Sequence, residues 1–320
     1  MTARRFILAL AGGVGGGKLA QGLAAALPPE ELAIVVNTAD DFVHLGLNIS
    51  PDIDSVLYAV AGLNDPERGW GLAGESWNFM AALERLGGET WFKLGDRDLA
   101  THMLRSHALA AGRTLSDVTA MLARQLGVAH TIAPMSDDPI RSVVLTSDGA
   151  LDFQDYFVRR QCQPAYRGLD IRGAATARPS DVLRDALDRA QAIIIAPSNP
   201  LASIDPMLAV PGVAGALRRS GRPVVAVSPI VGGRAVKGPL AKMMHERGQE
   251  PSALGVAQHY GRLIDGWIVD TADRPLVPAI KALGCRVIVR DIIMHTLDEK
   301  RRLAQDALEF ASDLSRVPVD

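Results

Sequence analysis

With 320 residues, 48% of them hydrophobic, the chain can fill one large or two medium cores, which excludes a disordered polymer. A formal charge of −2 excludes the strong positive field that neutralises a polyphosphate backbone, so nucleic acid is not an expected partner. The two cysteines, Cys162 and Cys285, stand far apart without CxxC spacing, which argues against a disulfide framework or a thiolate zinc site and fits a cytoplasmic location.

The first apolar run, residues 6–11, follows Arg4 and Arg5. It is too short for a signal segment, and no run approaches the ~20 apolar residues of a membrane span, so it is read as a buried strand. A glycine segment then leads into a helix predicted over 18–27, followed by a strand at 32–36. Residues 76–126 read as helical, with Leu99, Met103, Leu104, Leu122 and Leu126 at helix spacing. Runs at 142–145 and 151–158 flank Ser147-Asp148-Gly149, a tight-turn signal that predicts a β-hairpin. Helices over 181–190, 211–219, 252–260 and 274–283 alternate with strands at 192–196, 223–228, 267–270 and 286–290. None of these strands alternates apolar with polar, which marks strands buried on both faces. The βαβ rhythm predicts an α/β fold: a Rossmann-like, doubly wound, mostly parallel sheet. The chain is read as a single domain over 1–320, with a helical and hairpin insertion at 65–160.

Glycine dominates the junction between the first strand and helix: Gly12, Gly13, Gly15, Gly16 and Gly17, closed by Lys18. A glycine turn at a helix N-terminus can present free N–H groups to a phosphate. Residues 12–18 satisfy GxxxxGK, but Leu19 replaces the Ser or Thr that a Walker loop places on magnesium. Gly15, Gly17 and Ala20 form a GxGxxA, a weak dinucleotide signal in glycine-rich text. The competing reading is a tight turn with no ligand.

Strand 32–36 runs into Asn37-Thr38-Ala39-Asp40-Asp41, and Ser50-Pro51-Asp52-Ile53-Asp54 follows shortly. Up to four carboxylates thus fall near the carboxyl ends of adjacent strands, where doubly wound sheets bind ligands. Hard oxygen ligands there suit Mg2+, which neutralises charge in phosphoryl-type transfer. Helix capping can account for one or two of the four. His102 and His107, five apart, have no metal-ligand spacing and are read as structural or solvated.

Seven segments occur together in order along the chain: NTADD (37–41), SPDID (50–54), KLGDRDLATH (93–102), PMSDDP (134–139), FQDY (153–156), PSNP (197–200) and SPIVGG (228–233). Together they closely resemble the 2-phospho-L-lactate transferase family, which builds the deazaflavin coenzyme F-420. The resemblance implies a transferase in which the ribityl hydroxyl of the deazaflavin Fo attacks a guanosine diphosphate-linked donor. It releases GMP and leaves a phosphodiester to lactate, enolpyruvate or glycerate. It implies Mg2+ and a homodimer. Asp40 and Asp54 fall on the family's metal-binding acids, with Asp41 not separated from Asp40, and Asp54 and Lys93 on positions associated with the deazaflavin. Ser198 and Asn199 follow a buried strand between two prolines and could hold the donor, as could Ser228, while Gly232 and Gly233 could let backbone approach it. Arg97, Asp98, Asp137 and Asp138 rank lower, since salt bridges explain them equally. Gly17 departs from the Ala or Pro common before the lysine, which predicts a looser loop.

Two other functions compete. Regulatory proteins resembling gluconeogenesis factors share the glycine loop and the following acid pair, and bind nucleotide sugars without transfer. A Rossmann oxidoreductase rests only on the fold and the GxGxxA match.

Overall fold

The computed structural model describes residues 6–315, so Arg4 and Arg5 lie outside it. Strand β1 (Ile7–Ala11) is buried along its whole length. Successive side chains of a strand point to opposite faces, so this apolar run feeds two cores. Leu8 and Leu10 pack on one face with Ile193 and Ile195, while Ile7, Ala9 and Ala11 pack on the other with Ile194. Six further strands join it: β2 (Leu32–Val36), β3 (Thr131–Pro134), β4 (Ala192–Ile195), β5 (Val224–Val227), β6 (Gly266–Asp270) and β7 (Arg286–Arg290). Of these, β2, β4, β5 and β6 are buried throughout, and the edge strands β3 and β7 are partly exposed.

All seven are parallel and lie in the order β7-β6-β5-β4-β1-β2-β3. Ala11 pairs with Val36 and Leu10 with Ile195, so β1, β2 and β4 end nearly level. The chain winds outward from β1 to β3 and returns to the other side of β1 at β4. That reversal opens a crevice at the carboxyl ends of β1 and β4. The doubly wound parallel sheet is the architecture the strand pattern predicts.

Helix α1 (Gly13–Ala26) leaves β1 directly and crosses α2 (Pro51–Val60) and the helix Leu297–Ser315. The crossings are tight: a Cβ at Gly17 would approach the Ser55 carbonyl to 2.9 Å, and one at Gly22 would press into the Lys300 backbone. The helix therefore starts at Gly13, five residues before the predicted start, because close packing outweighs the poor helix propensity of glycine. The glycine segment is the first turn of a packed helix, not a looser loop.

Other differences follow from local chemistry. β3 is only four residues long and contains a proline, which hid it from pattern reading. The helix Leu297–Ser315 was not predicted; its buried stripe runs through Leu303, Ala304, Ala307, Leu308 and Ala311. The predicted strand at 151–158 ends at Asp152 and gives way to a π-helical turn, Asp155–Arg159. The hairpin Arg141–Thr146 with Gly149–Asp152 is extended by Tyr166–Arg172 on its other edge. The helix predicted over 274–283 is a 3-10 stretch, Thr271–Leu276, then a short helix, Val277–Lys281, because Pro275 and Pro278 interrupt the ladder.

Helix α3 (Asp96–Ala110) turns the expected pattern over. Met103 and Leu104 are 57% and 54% exposed, while Asp98, Thr101, His102 and Arg105 form the buried face. Residues at i, i+3, i+4 and i+7 share one side of a helix. Of this polar stripe, His102 lines the crevice.

Candidate active site

The crevice is a cleft of about 640 Å³ walled by the ends of β1 and β4, the start of α2 and the segments 91–93, 153–158 and 292–295. Asp40, Asp52 and Asp54 reach it, as do Gly12, Gly13, Gly15, Lys93, Ser198, Asn199 and Ser228. Its three carboxylates form two centres with opposite electrostatics.

Asp40 and Asp52 make the first. The Asn37 amide donates to Asp52 Oδ2 at 3.0 Å and to Asp40 Oδ1 at 3.3 Å, and its own oxygen is fixed by the Ala39 N–H at 3.0 Å. Gln154, from the FQDY segment, donates to Asp40 Oδ2 at 3.0 Å. No cationic side chain pairs with either acid among the described residues. Burial, then the charges of Asp52 and Asp41, hold the Asp40 carboxyl well above the usual carboxylate range. Burial also pushes Asp52 up to about 6, against hydrogen bonds from Asn37, the Gly13 N–H and Ser203. Asp41 is not on the cleft wall: it lies beneath, accepting the Ser50 hydroxyl at 2.8 Å, and burial pushes it up to about 7. Of the NTADD pair, Asp40 is therefore the residue that faces the cleft.

Asp54 is the second centre. Arg105, fully buried, grips both its carboxylate oxygens, with Nη1 at 3.0 Å from Oδ2 and Nη2 in closer contact with Oδ1. Burial draws the guanidinium pKa down, but the charge and hydrogen bond of Asp54 more than offset it. His102 stands between Asp54, 3.6 Å from Nδ1, and Asp98, 3.3 Å from Nε2, and the Tyr58 hydroxyl donates to Asp98 at 2.6 Å. His102 is thus tied to the site, whereas His107 is exposed. The polar stripe Asp98, His102, Arg105 was the signal available in the sequence. Its partner Asp54, 51 residues away from Arg105, was not.

Neither Asp52 nor Asp54 is an N-cap; that position is Ser50, whose side chain makes no cap bond. Ser198 accepts the Gly12 N–H and donates to the Gly12 carbonyl, each at 2.9 Å. Asn199 Oδ1 accepts from the N–H groups of Leu201 and Ala202, and Ser228 bonds both backbone groups of Ile230. All three stand at the cleft wall with these polar atoms engaged in holding loops. Gly12 and Gly13 give their N–H groups to Ser198 and Asp52, so these two amides are not free for a phosphate as the sequence suggested. Gly15 lies against the Pro197 carbonyl, and Gly16 sits behind the wall, where a Cβ would come within 2.8 Å of Ser198 Oγ. Of the GxGxxA residues, Gly17 and Ala20 are packing positions of α1 and Gly15 lines the cleft beside the Pro197 loop. Lys93 is exposed at the cleft beside Trp91 and Phe92. Asp137 and Asp138 lie elsewhere, binding Ser116 and the Arg178 N–H, and Gly232 and Gly233 form a hairpin turn.

For a divalent cation, Asp40 and Asp52 are the fitting donors: buried carboxylates that repel each other with no cationic partner. No group of three or more His, Cys, Asp or Glu among the described residues is arranged to hold a metal, so water or substrate oxygens would complete the shell, the habit of magnesium. Asp54, the other acid the resemblance assigns to the metal, has both oxygens already in contact with Arg105.

The model of the family described as 2-phospho-L-lactate transferase CofD matches residues 7–297. The chain belongs to the CofD family. It is 39% identical over 299 residues to the 2-phospho-L-lactate transferase of Methanosarcina mazei, covering 93% of this chain and 98% of that one. It is 40% identical over 317 residues to the phosphoenolpyruvate transferase of Kitasatospora aureofaciens, covering 96% and 98%. A crystal structure of a UPF0052-family protein of Bacillus halodurans superposes with a TM-score of 0.64, covering 96% of this chain and 100% of that one; at 15% identity it shows the shared fold alone. CofD relatives are transferases, and this chain carries its three cleft acids at the switch point of the sheet.

Proposed function

We propose that the protein moves a phospho-carboxylic acid group (2-phospholactyl, phosphoenolpyruvyl or phosphoglyceryl) from a guanosine diphosphate-linked donor to the ribityl hydroxyl of Fo, releasing GMP. The observation that carries this reading is the near full-length similarity to transferases of that kind, with Asp40, Asp54 and Lys93 on one cleft.

In this reading Asp40 and Asp52 would hold Mg2+, whose positive charge would offset the negative charge of the donor phosphates. Asp54, fixed by Arg105, accepts a hydrogen bond from the ribityl hydroxyl, aligns it with the donor phosphorus and takes up its proton as the new P–O bond forms. Lys93 meets the deazaflavin beside Trp91 and Phe92. The bond to the GMP phosphate breaks, and GMP leaves with the electron pair.

The test is incubation with Fo, Mg2+ and each freshly prepared guanosine diphosphate-linked acid, with GMP followed by chromatography. GMP release from at least one donor, dependent on Fo and lost in Asp40→Asn, is expected. No release from any of the three, with no Fo binding, would overturn the reading.

A further inference from the structure

Lys18 has no role in the chemistry above, yet it lines the cleft. It lies four residues, one helical turn, beyond Val14 on α1, half-buried. Among the described residues it makes no ion pair and no hydrogen bond. Its charged neighbours are mostly of its own sign: Lys300 and Lys237, with Glu299 the one acid near. Glu299 is already engaged with the N–H groups of His295 and Thr296, and Lys300 donates to Gln21 at 2.7 Å. Burial and the two lysines draw the Lys18 pKa down.

Lys237 comes from the other side of the cleft mouth. Its ammonium donates to the Arg68 carbonyl at 3.1 Å and has no carboxylate partner among the described residues. A Cβ at Gly69 would touch both Lys237 Nζ and Val14, which places this second ammonium over the first turn of α1. Two cations without anions therefore converge on one stretch of wall. A half-buried ammonium beside like charges is unfavourable unless an anion joins it. At the start of α1 two amides are already engaged, the Gly13 N–H by Asp52 and that of the N-cap Gly12 by Ser198, so an anion there would draw on the lysine side chains.

Resting on the transferase reading above, we propose that Lys18 and Lys237 form the subsite for the diphosphate of the nucleotide donor. Their side chains supply positive charge that the engaged Gly12 and Gly13 amides do not. GxxxxGK thus keeps its lysine in a phosphate-binding role although Leu19 leaves no hydroxyl for a metal.

The test is calorimetric titration of the full-length protein, in Mg2+, with GDP, inorganic pyrophosphate and Fo, for wild type, Lys18→Met and Lys237→Met. A charge-assisted hydrogen bond to phosphate predicts roughly 10- to 100-fold weaker GDP and pyrophosphate binding in each variant. Fo affinity stays within about twofold, and melting temperatures are unchanged or raised. Lys237 is exposed, so its variant keeps the test open should Lys18→Met fail to fold. GDP and pyrophosphate affinities within twofold of wild type in both variants would overturn the proposal, as would a wild type that binds neither. If the lysine dependence holds but Fo yields no GMP from any donor, the subsite stands and the transferase reading falls.

Discussion

Asp54 and the Asp40–Asp52 pair share one cleft and the same functional group, yet their surroundings make them different reagents. Asp54 has its counter-charge built in: Arg105 is fully buried against it, so the carboxylate is oriented and neutralised before any ligand arrives. Asp40 and Asp52 have only neutral amide and hydroxyl donors, and their proton affinities rise. Three acids from two neighbouring motifs are thus divided, Asp54 to orienting and deprotonating the acceptor and Asp40 with Asp52 to cation capture, by whether a guanidinium lies beneath.

Substitution tests that division most sharply. Asp40→Asn is expected to lower turnover roughly 10²–10³-fold and to abolish Mn2+ binding measured by electron paramagnetic resonance, and Asp52→Asn to weaken the same signal. Asp54→Asn should lower turnover while leaving Mn2+ binding within a few-fold; equal loss of the metal in both would break the contrast. Next in size, Arg105→Met should destabilise the fold by about 3–5 kcal/mol in urea unfolding, because it strands a buried carboxylate. The Asp54→Asn/Arg105→Met pair should then be less destabilising than the two single effects added together.

A third test uses pH. Asp41 and Asp52 have folded-state values of about 7 and about 6, above the ordinary 3.8, so between those limits the folded state holds more protons than the unfolded one. Stability without a divalent cation therefore falls as pH rises from about 4 to about 7, with Asp40 adding to the fall in the same direction. The slope should shrink in Asp52→Asn and when Mg2+ is added; a Tm that climbs across this window would contradict the charge assignment. Smallest is the outward face of α3, where Met103→Gln and Leu104→Gln should change unfolding free energy by less than about 0.5 kcal/mol.

How far the sequence could be read follows from range. Strands such as Ile7–Ala11 and Ala192–Ile195 are apolar on both faces, and that local property announces a covered parallel sheet. Thr131–Pro134 is too short to announce anything. In α3 the apolar spacing pointed to Met103 and Leu104, but tertiary contact with Asp54 put the charged stripe inside instead. The motifs delivered Asp40, Asp52 and Asp54 to the cleft, whereas the pairing of Gln154 with Asp40 spans 114 residues and that of Arg105 with Asp54 spans 51. The glycines of α1 combine two demands that a sequence presents as one: Gly12 lies against Asp52, whereas Gly17 and Gly22 let neighbouring backbone come close.

Gly22 against Lys300 ties a helix near the start of the chain to one near residue 300. During translation α1 leaves the ribosome long before that cover exists, and at about 5–20 residues per second the interval is of order a minute or less. Until then one flank of α1 stays exposed to water, and the wall formed by residues 292–295 is missing, so a nascent chain should present no closed pocket to nucleotide.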